Sequence, residues 1–237
     1  MTLLSICQAI ADEISIIRPS TIVGNSNPEV QRLLRYADKA GTRMMKSYPW
    51  QILRKEKTFT GVAGETQTSI LPSYFDRFVP ETFWDRTNQI LFAGPISPVE
   101  WNSLKAASYQ GNNKFILRGD SVRVIPGLDG GESIAYEYVK KNWCQSSGGT
   151  EQAAWAADSD TGIIDEEMLI YAGIFEYLDG EGQPSGNALA QMRNYMRVLT
   201  ENDQPAAGVM AAADIFGNGR HFDGNPTAFG TNINNGW

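Results

Sequence analysis

The sequence predicts an α+β fold. N- and C-terminal helix pairs form a four-helix core, a small antiparallel β domain is inserted between them, and an extended arm ends the chain. Three observations predict this. Apolar residues recur at helical spacing up to about residue 48 and again after residue 165. Between about 55 and 140 the period changes to two. Beyond 203 the chain turns rich in Gly, Asn and Ala. Each outer helix has an apolar stripe too narrow to stand alone, so packing the four together is the simplest way to bury them. The expected divisions are 1–54 and 143–204 for the two parts of the helical core, 55–142 for the β domain and 205–237 for the arm.

The first helix is expected over 3–17, where Leu3, Cys7, Ile10, Ile14 and Ile17 alternate steps of four and three. Pro19 and Gly24 end it. The second opens at Asn27-Pro28-Glu29: Asn caps, Pro suits the first helical position, and Glu favours the positive helix end. It runs to about Tyr48, with Val30, Leu33, Leu34, Ala37, Gly41, Met44 and Met45 as its buried stripe and Pro49 as its stop. A second stripe lies on this helix. Arg32, Arg35, Lys39, Arg43 and Lys46 recur at steps of three, four, four and three, which puts five cations on one face. Such a row is either a solvated face or a surface that meets acidic groups or phosphates, because aligned cations repel unless something compensates them.

In the β region the expected strands are Lys57–Thr60, Thr68–Leu71, Arg77–Trp84, Ile90–Phe92, Lys114–Leu117, Ser121–Ile125 and Ser133–Val139, bounded by Gly, Pro, Asn and Asp. Trp101 to Ala107 reads as a helical turn among them. Gly119-Asp120 reads as a tight hairpin turn, and Arg118-Gly119-Asp120 is better explained by that turn than as an adhesion motif. The stretch from Pro80 to Trp101, with its Gly94-Pro95 turn, reads as structural.

Asn142 to Asp160 is expected to be a loop with Trp143 and Trp155 pinning its ends. Asp165, Glu166 and Glu167 then start a helix that is acidic in its first turn, as the helix dipole favours. Met168, Leu169, Ala172, Phe175 and Leu178 give it an apolar face; Gly180, Gly182 and Pro184 break it. The last helix is expected from about Ser185 to Leu199. The arm carries Ile215, Phe216, Arg220, Phe222, Phe229, Ile233 and Trp237. Disordered tails are normally polar and poor in aromatics. These anchors fit an arm that docks on another subunit, or one that folds back on its own domain.

Composition narrows the function. The 237 residues are 42% hydrophobic and 20% charged, with a net charge of −7 and a pI near 4.8. A global basic footprint for nucleic acid is absent. The opening residues lack a basic n-region and carry Asp12 and Glu13, unlike a signal peptide. No apolar run approaches the length of a membrane span. Cys7 and Cys144 fit no metal spacing and read as reduced thiols.

The single histidine, His221, lies in the arm, which argues against triad or Cys-His catalysis. Gly217-Asn218-Gly219 lacks the strand and helix of a phosphate loop. Asp158, Asp160 and Asp165 only loosely resemble a calcium loop and read better as loop-forming and capping carboxylates. Glu81, Asp85 and Glu100 are the nearest candidates for a sugar-cleaving pair, but nothing sets two of them across one bond. No cofactor, metal or catalytic residue is expected.

Several pieces, in order, carry a resemblance. They are the N-terminal helix pair, Leu71–Arg77 (LPSYFDR) with Phe83–Arg86 (FWDR), Gly94-Pro95 with Glu100-Trp101, Tyr138–Cys144 (YVKKNWC), and Trp155–Asp160 (WAADSD) leading into an acidic-start helix. Together they span about residues 1–200 and resemble the head-to-tail adaptor (connector) proteins of short-tailed bacteriophages. The resemblance implies a non-enzymatic homo-oligomeric ring, usually of twelve copies, at the head–tail junction of the virion and assembled in the host cytoplasm. Such a ring sits under the portal protein, offers a platform to the tail nozzle or other tail proteins, and lets genomic DNA pass without sequence-specific binding. It implies a C-terminal segment that reaches along the portal. Some relatives are credited with peptidoglycan hydrolysis; no residues here carry that over. In such a ring the basic stripe either pairs with an acidic neighbour, for example the Asp165–Glu167 helix start, across a subunit interface, or faces the channel. The interface is the better reading, because strong phosphate attraction would hinder DNA passage.

Overall fold

In the computed structural model the described residues are 1–203, and they form a mixed α+β structure with five α-helices and small antiparallel sheets. The expected arm, with Ile215, Phe216, Arg220, Phe222, Phe229, Ile233 and Trp237, lies outside the described residues.

The helices begin where side chains satisfy their free amides. Helix α1 (Leu3–Glu13) is capped by Thr2, which accepts from the Ser5 amide at 3.3 Å. Asn27 caps α2 (Pro28–Ser47) by accepting from the Glu29 amide at 2.9 Å. Asp165 caps α4 (Glu166–Gly180) by accepting from the Met168 amide at 2.9 Å. Helix α1 stops four residues short of expectation: Ser15 adopts a left-handed conformation, and Ile17 is exposed rather than part of the apolar stripe. Helix α5 (Gly186–Asp203) runs past the expected end at Leu199.

These helices do not make the predicted four-helix core. Helix α4 is enclosed on most sides, with Met168, Leu169 and every residue from Ala172 to Tyr177 buried, and α1, α2 and α5 pack around it. Helix α5 packs chiefly on α4 and buries only Ala188 and Met192. The rest of this core is filled by connecting segments, through Trp50, Leu53, Trp143, Cys144, Trp155 and Ile164. The physical reason is the composition of α4: a helix apolar on most of its circumference becomes the centre of a cluster rather than one of four equal staves. Trp143 lies flat against Gly41 of α2, where an added Cβ would collide with the indole ring. It meets Trp155 edge to face at 4.9 Å, so the two tryptophans do pin this segment.

Strand β1 (Arg54–Thr60) pairs antiparallel with β8 (Ser133–Lys140), from Arg54 opposite Val139 to Thr60 opposite Ser133. The other edge of β8 takes β3 (Phe75–Phe78) and β4 (Trp84–Asp85), and β5 (Ile90–Leu91) follows β4. A second sheet has the order β2 (Gly64–Gln67), β7 (Ser121–Leu128), β6 (Lys114–Arg118). The turn between β6 and β7 is the expected hairpin, with Gly119 at φ 63°. Helix α3 (Pro98–Ala106) is capped by Ser97.

Several strands lie elsewhere than the sequence predicts. Thr68–Leu71 is not a strand; β2 lies before it. The expected strand 77–84 is interrupted where Pro80 removes a donor and Glu81 turns to φ 61°. The expected loop 142–160 contains short strands β9 (Cys144–Gln145) and β10 (Glu151–Gln152), which form a small sheet with β11 (Thr161–Gly162).

This β region has cores of its own. Phe83 stacks between Phe92, Phe115 and Tyr136 at ring separations of 5.1, 4.6 and 5.4 Å. The Tyr136 hydroxyl donates to the Ile70 carbonyl at 2.6 Å. The Pro80–Trp101 stretch thus contributes Phe83, Phe92 and Trp101 to packing.

Both cysteines are buried and free. Burial, with nearby Asp carboxylates, pushes each thiol up to about 12. Since the thiolate is the reactive form, a thiol reagent at pH 8 is expected to modify neither Cys7 nor Cys144 in the native protein and both in denaturant, counted by absorbance.

Candidate interaction surface

The five-cation row is the strongest electrostatic feature the sequence offers, and the structure places all five on the exposed side of α2. Three are neutralised inside the chain by α4 and the residue that follows it. Arg32 Nη1 lies 3.0 Å from Glu181 Oε2, and the Tyr36 hydroxyl donates to the other oxygen of that carboxylate at 3.1 Å. Lys39 Nζ is 2.6 Å from Glu176 Oε2, and Arg43 Nε contacts Glu176 Oε1. The Arg43 guanidinium also sits 5.2 Å from the Phe175 ring centroid. Arg35 and Lys46 make no ion pair among the described residues.

Glu176 is the residue that sequence reasoning missed. Its side chain is 0% exposed while its two cations are about half exposed. Neither oxygen has a partner in good hydrogen-bonding geometry, so proximity of charge is what compensates it. A carboxylate held this way depends on its cations far more than an exposed pair does. The available signal was an acidic residue inside the apolar run Ile174-Phe175-Glu176-Tyr177, which buries a charge unless a cation faces it.

The carboxylates considered for other roles are mostly engaged structurally. Asp85 is buried and accepts from the amides of Thr87 and Asn88 at 2.9 and 3.0 Å. Glu100 bridges Lys114 at 2.7 Å. Glu81 is exposed in a turn. Asp158 accepts from the amides of Ile22 and Val23, tying the α1–α2 connection to the later segment. Asp160 is buried and accepts from Ala156 and Ala157 at 2.7 and 2.9 Å. Asp38 accepts from the Trp155 amide at 3.0 Å; burial raises its carboxyl, and that hydrogen bond opposes the rise. Among the described residues no group of His, Cys, Asp and Glu is arranged to hold a metal ion, and no helix is long and apolar enough to cross a membrane.

A second pair missed from sequence ties the β region to the helical part. Lys140, 3% exposed, meets Glu151 at 2.6 Å, and Lys55 approaches the same oxygen at 3.4 Å. Burial alone would raise the Glu151 carboxyl, but the Lys140 hydrogen bond and both cations outweigh it and hold it below the usual range. A carboxyl lowered by folding stabilises the fold fully above its unfolded pKa and loses that contribution as pH falls through the lowered one. Glu151→Gln is therefore expected to cost about 2 kcal/mol at pH 7. The gap to wild type should narrow below about pH 4.5 in urea titrations.

Neither the family models nor the characterised proteins compared with this chain give a match.

Proposed function

We propose that this chain is the structural adaptor of a bacteriophage neck, forming a ring that binds the portal protein and carries the tail. The layout supports the reading best. A helical part with a cation-rich face is interrupted by a β region that has its own cores. The last described helix ends at a fixed point: Asp203 accepts from the Gln51 amide at 2.9 Å, just before β1. The chain thus leaves the described residues where the helical and β parts meet, and the anchors from Ile215 to Trp237 follow. In the proposed role these anchors dock on the portal, the β region offers loops to the tail nozzle, and genomic DNA passes through the ring. The action is stoichiometric and requires no cofactor. The site of action is the head–tail junction of the virion, after assembly in the host cytoplasm.

The experiment is co-sedimentation of the full chain with the portal protein of the same particle, run beside a peptidoglycan-clearing assay. Saturable portal binding without clearing is expected. Clearing abolished by Glu81→Gln or Glu100→Gln, with no portal binding, would replace this reading with a cell-wall hydrolase.

A further inference from the structure

On the side of α4 away from the cation row, α1, α4 and α5 enclose a groove of about 500 Å³. Its apolar lining includes Ile14, Ile170, Ile174 and Leu178, and its charged groups are Asp12, Glu13 and Glu167. Asp12 lies 3.7 Å from Arg18 and Glu167 accepts from the Tyr171 hydroxyl at 3.3 Å, while Glu13 makes no ion pair among the described residues. The acidic rim is the charge complement of the α2 face, where Arg32, Lys39 and Arg43 meet Glu181 and Glu176 while Arg35 and Lys46 make no ion pair among the described residues.

The groove and the cation row lie on opposite sides of α4. Glu176, which meets the cations, follows Glu167, which lines the groove, by nine residues. At 3.6 residues per turn that is two and a half turns, so the two side chains leave α4 about 180° apart. Complementary patches on opposite sides cannot satisfy each other within one molecule. They also do not form a two-fold contact, which needs one self-complementary patch. They fit a head-to-tail contact, which closes into a ring when the rotation permits.

We infer that the occupant of the α1–α4–α5 groove is α2 of a second copy of this chain, with Arg35 and Lys46 of one subunit meeting Glu13 and Glu167 of the next. This rests on the ring reading and names its interface. It also divides the cation row between two tasks: Arg32, Lys39 and Arg43 compensate Glu181 and the buried Glu176 of their own subunit, and Arg35 and Lys46 serve the neighbour.

The test is a charge swap on the full chain, read by native mass spectrometry and sedimentation velocity. The wild type is expected to form higher-order closed species at high concentration. Arg35→Glu with Lys46→Glu, or Glu13→Lys with Glu167→Lys, should each weaken assembly at least tenfold. Both pairs lie on exposed positions, and unchanged circular dichroism will verify folding. Mixing the two variants should restore assembly, because each then offers the face the other needs; combining all four substitutions in one chain should do the same. Reversals that leave assembly unchanged, or that abolish it without rescue on mixing, would overturn this interface. A wild-type chain that stays monomeric at every concentration would also overturn it. Portal binding by that monomer would leave the adaptor reading standing, whereas loss of portal binding would remove the adaptor reading itself.

Discussion

Replacing Lys39 and Arg43 together with methionine is expected to destabilise the protein by about 3 kcal/mol, at the low end for a broken buried pair because both cations are half exposed. The cost arises less from the lost attraction than from the Glu176 carboxylate, left enclosed with neither cation nor hydrogen bond. Adding Glu176→Met to that variant should recover most of the loss, since an apolar side chain of similar volume carries no charge to desolvate. Equilibrium urea unfolding of the three proteins distinguishes this account from simple loss of packing. If the triple variant were no more stable than the double, the two long side chains would matter for their aliphatic stems and not for Glu176.

Ending the chain at Ala206 is expected to abolish portal binding while leaving the unfolding midpoint unchanged. Residues 1–203 form buried clusters of their own, and α5 is fixed at its end by the Gln51–Asp203 contact. The removed segment contains the expected anchors Ile215, Phe216, Arg220, Phe222, Phe229, Ile233 and Trp237. Aromatic and arginine anchors at the centre of an interface often carry 2 kcal/mol or more each, roughly thirtyfold in affinity. Phe216→Ala and Trp237→Ala in the full chain should therefore each weaken binding by about that factor. Retained portal binding by the shortened chain would remove the docking role from the arm.

Much of the fold was legible because it followed from local chemistry. Asn27-Pro28 and Asp165 mark helix starts by capping chemistry that acts within one turn, and both lie where the sequence places them. The β6–β7 hairpin was legible for the same reason, through Gly119. What was not legible depends on tertiary context. The centrality of α4 reflects how many partners it meets, which a stripe drawn on one helix does not reveal. The break at Pro80 and Glu81 divides what read as one strand, because two short apolar runs on either side of a proline look continuous in alternation alone. In the candidate surface, the cation row was plain from spacing. The compensation of Arg32, Lys39 and Arg43 by Glu176 and Glu181 was not, since those partners lie more than 130 residues away in the sequence.

The most direct measurement of the adaptor account is electron cryomicroscopy of the full chain reconstituted with its portal protein. The account predicts a ring, twelvefold as the resemblance implies, seated under the portal. The α2 face of each subunit should lie against the α1–α4–α5 groove of the next, with residues 205–237 in contact with the portal. Particles in which the chain is absent from the portal, or bound there without forming a ring, would contradict it.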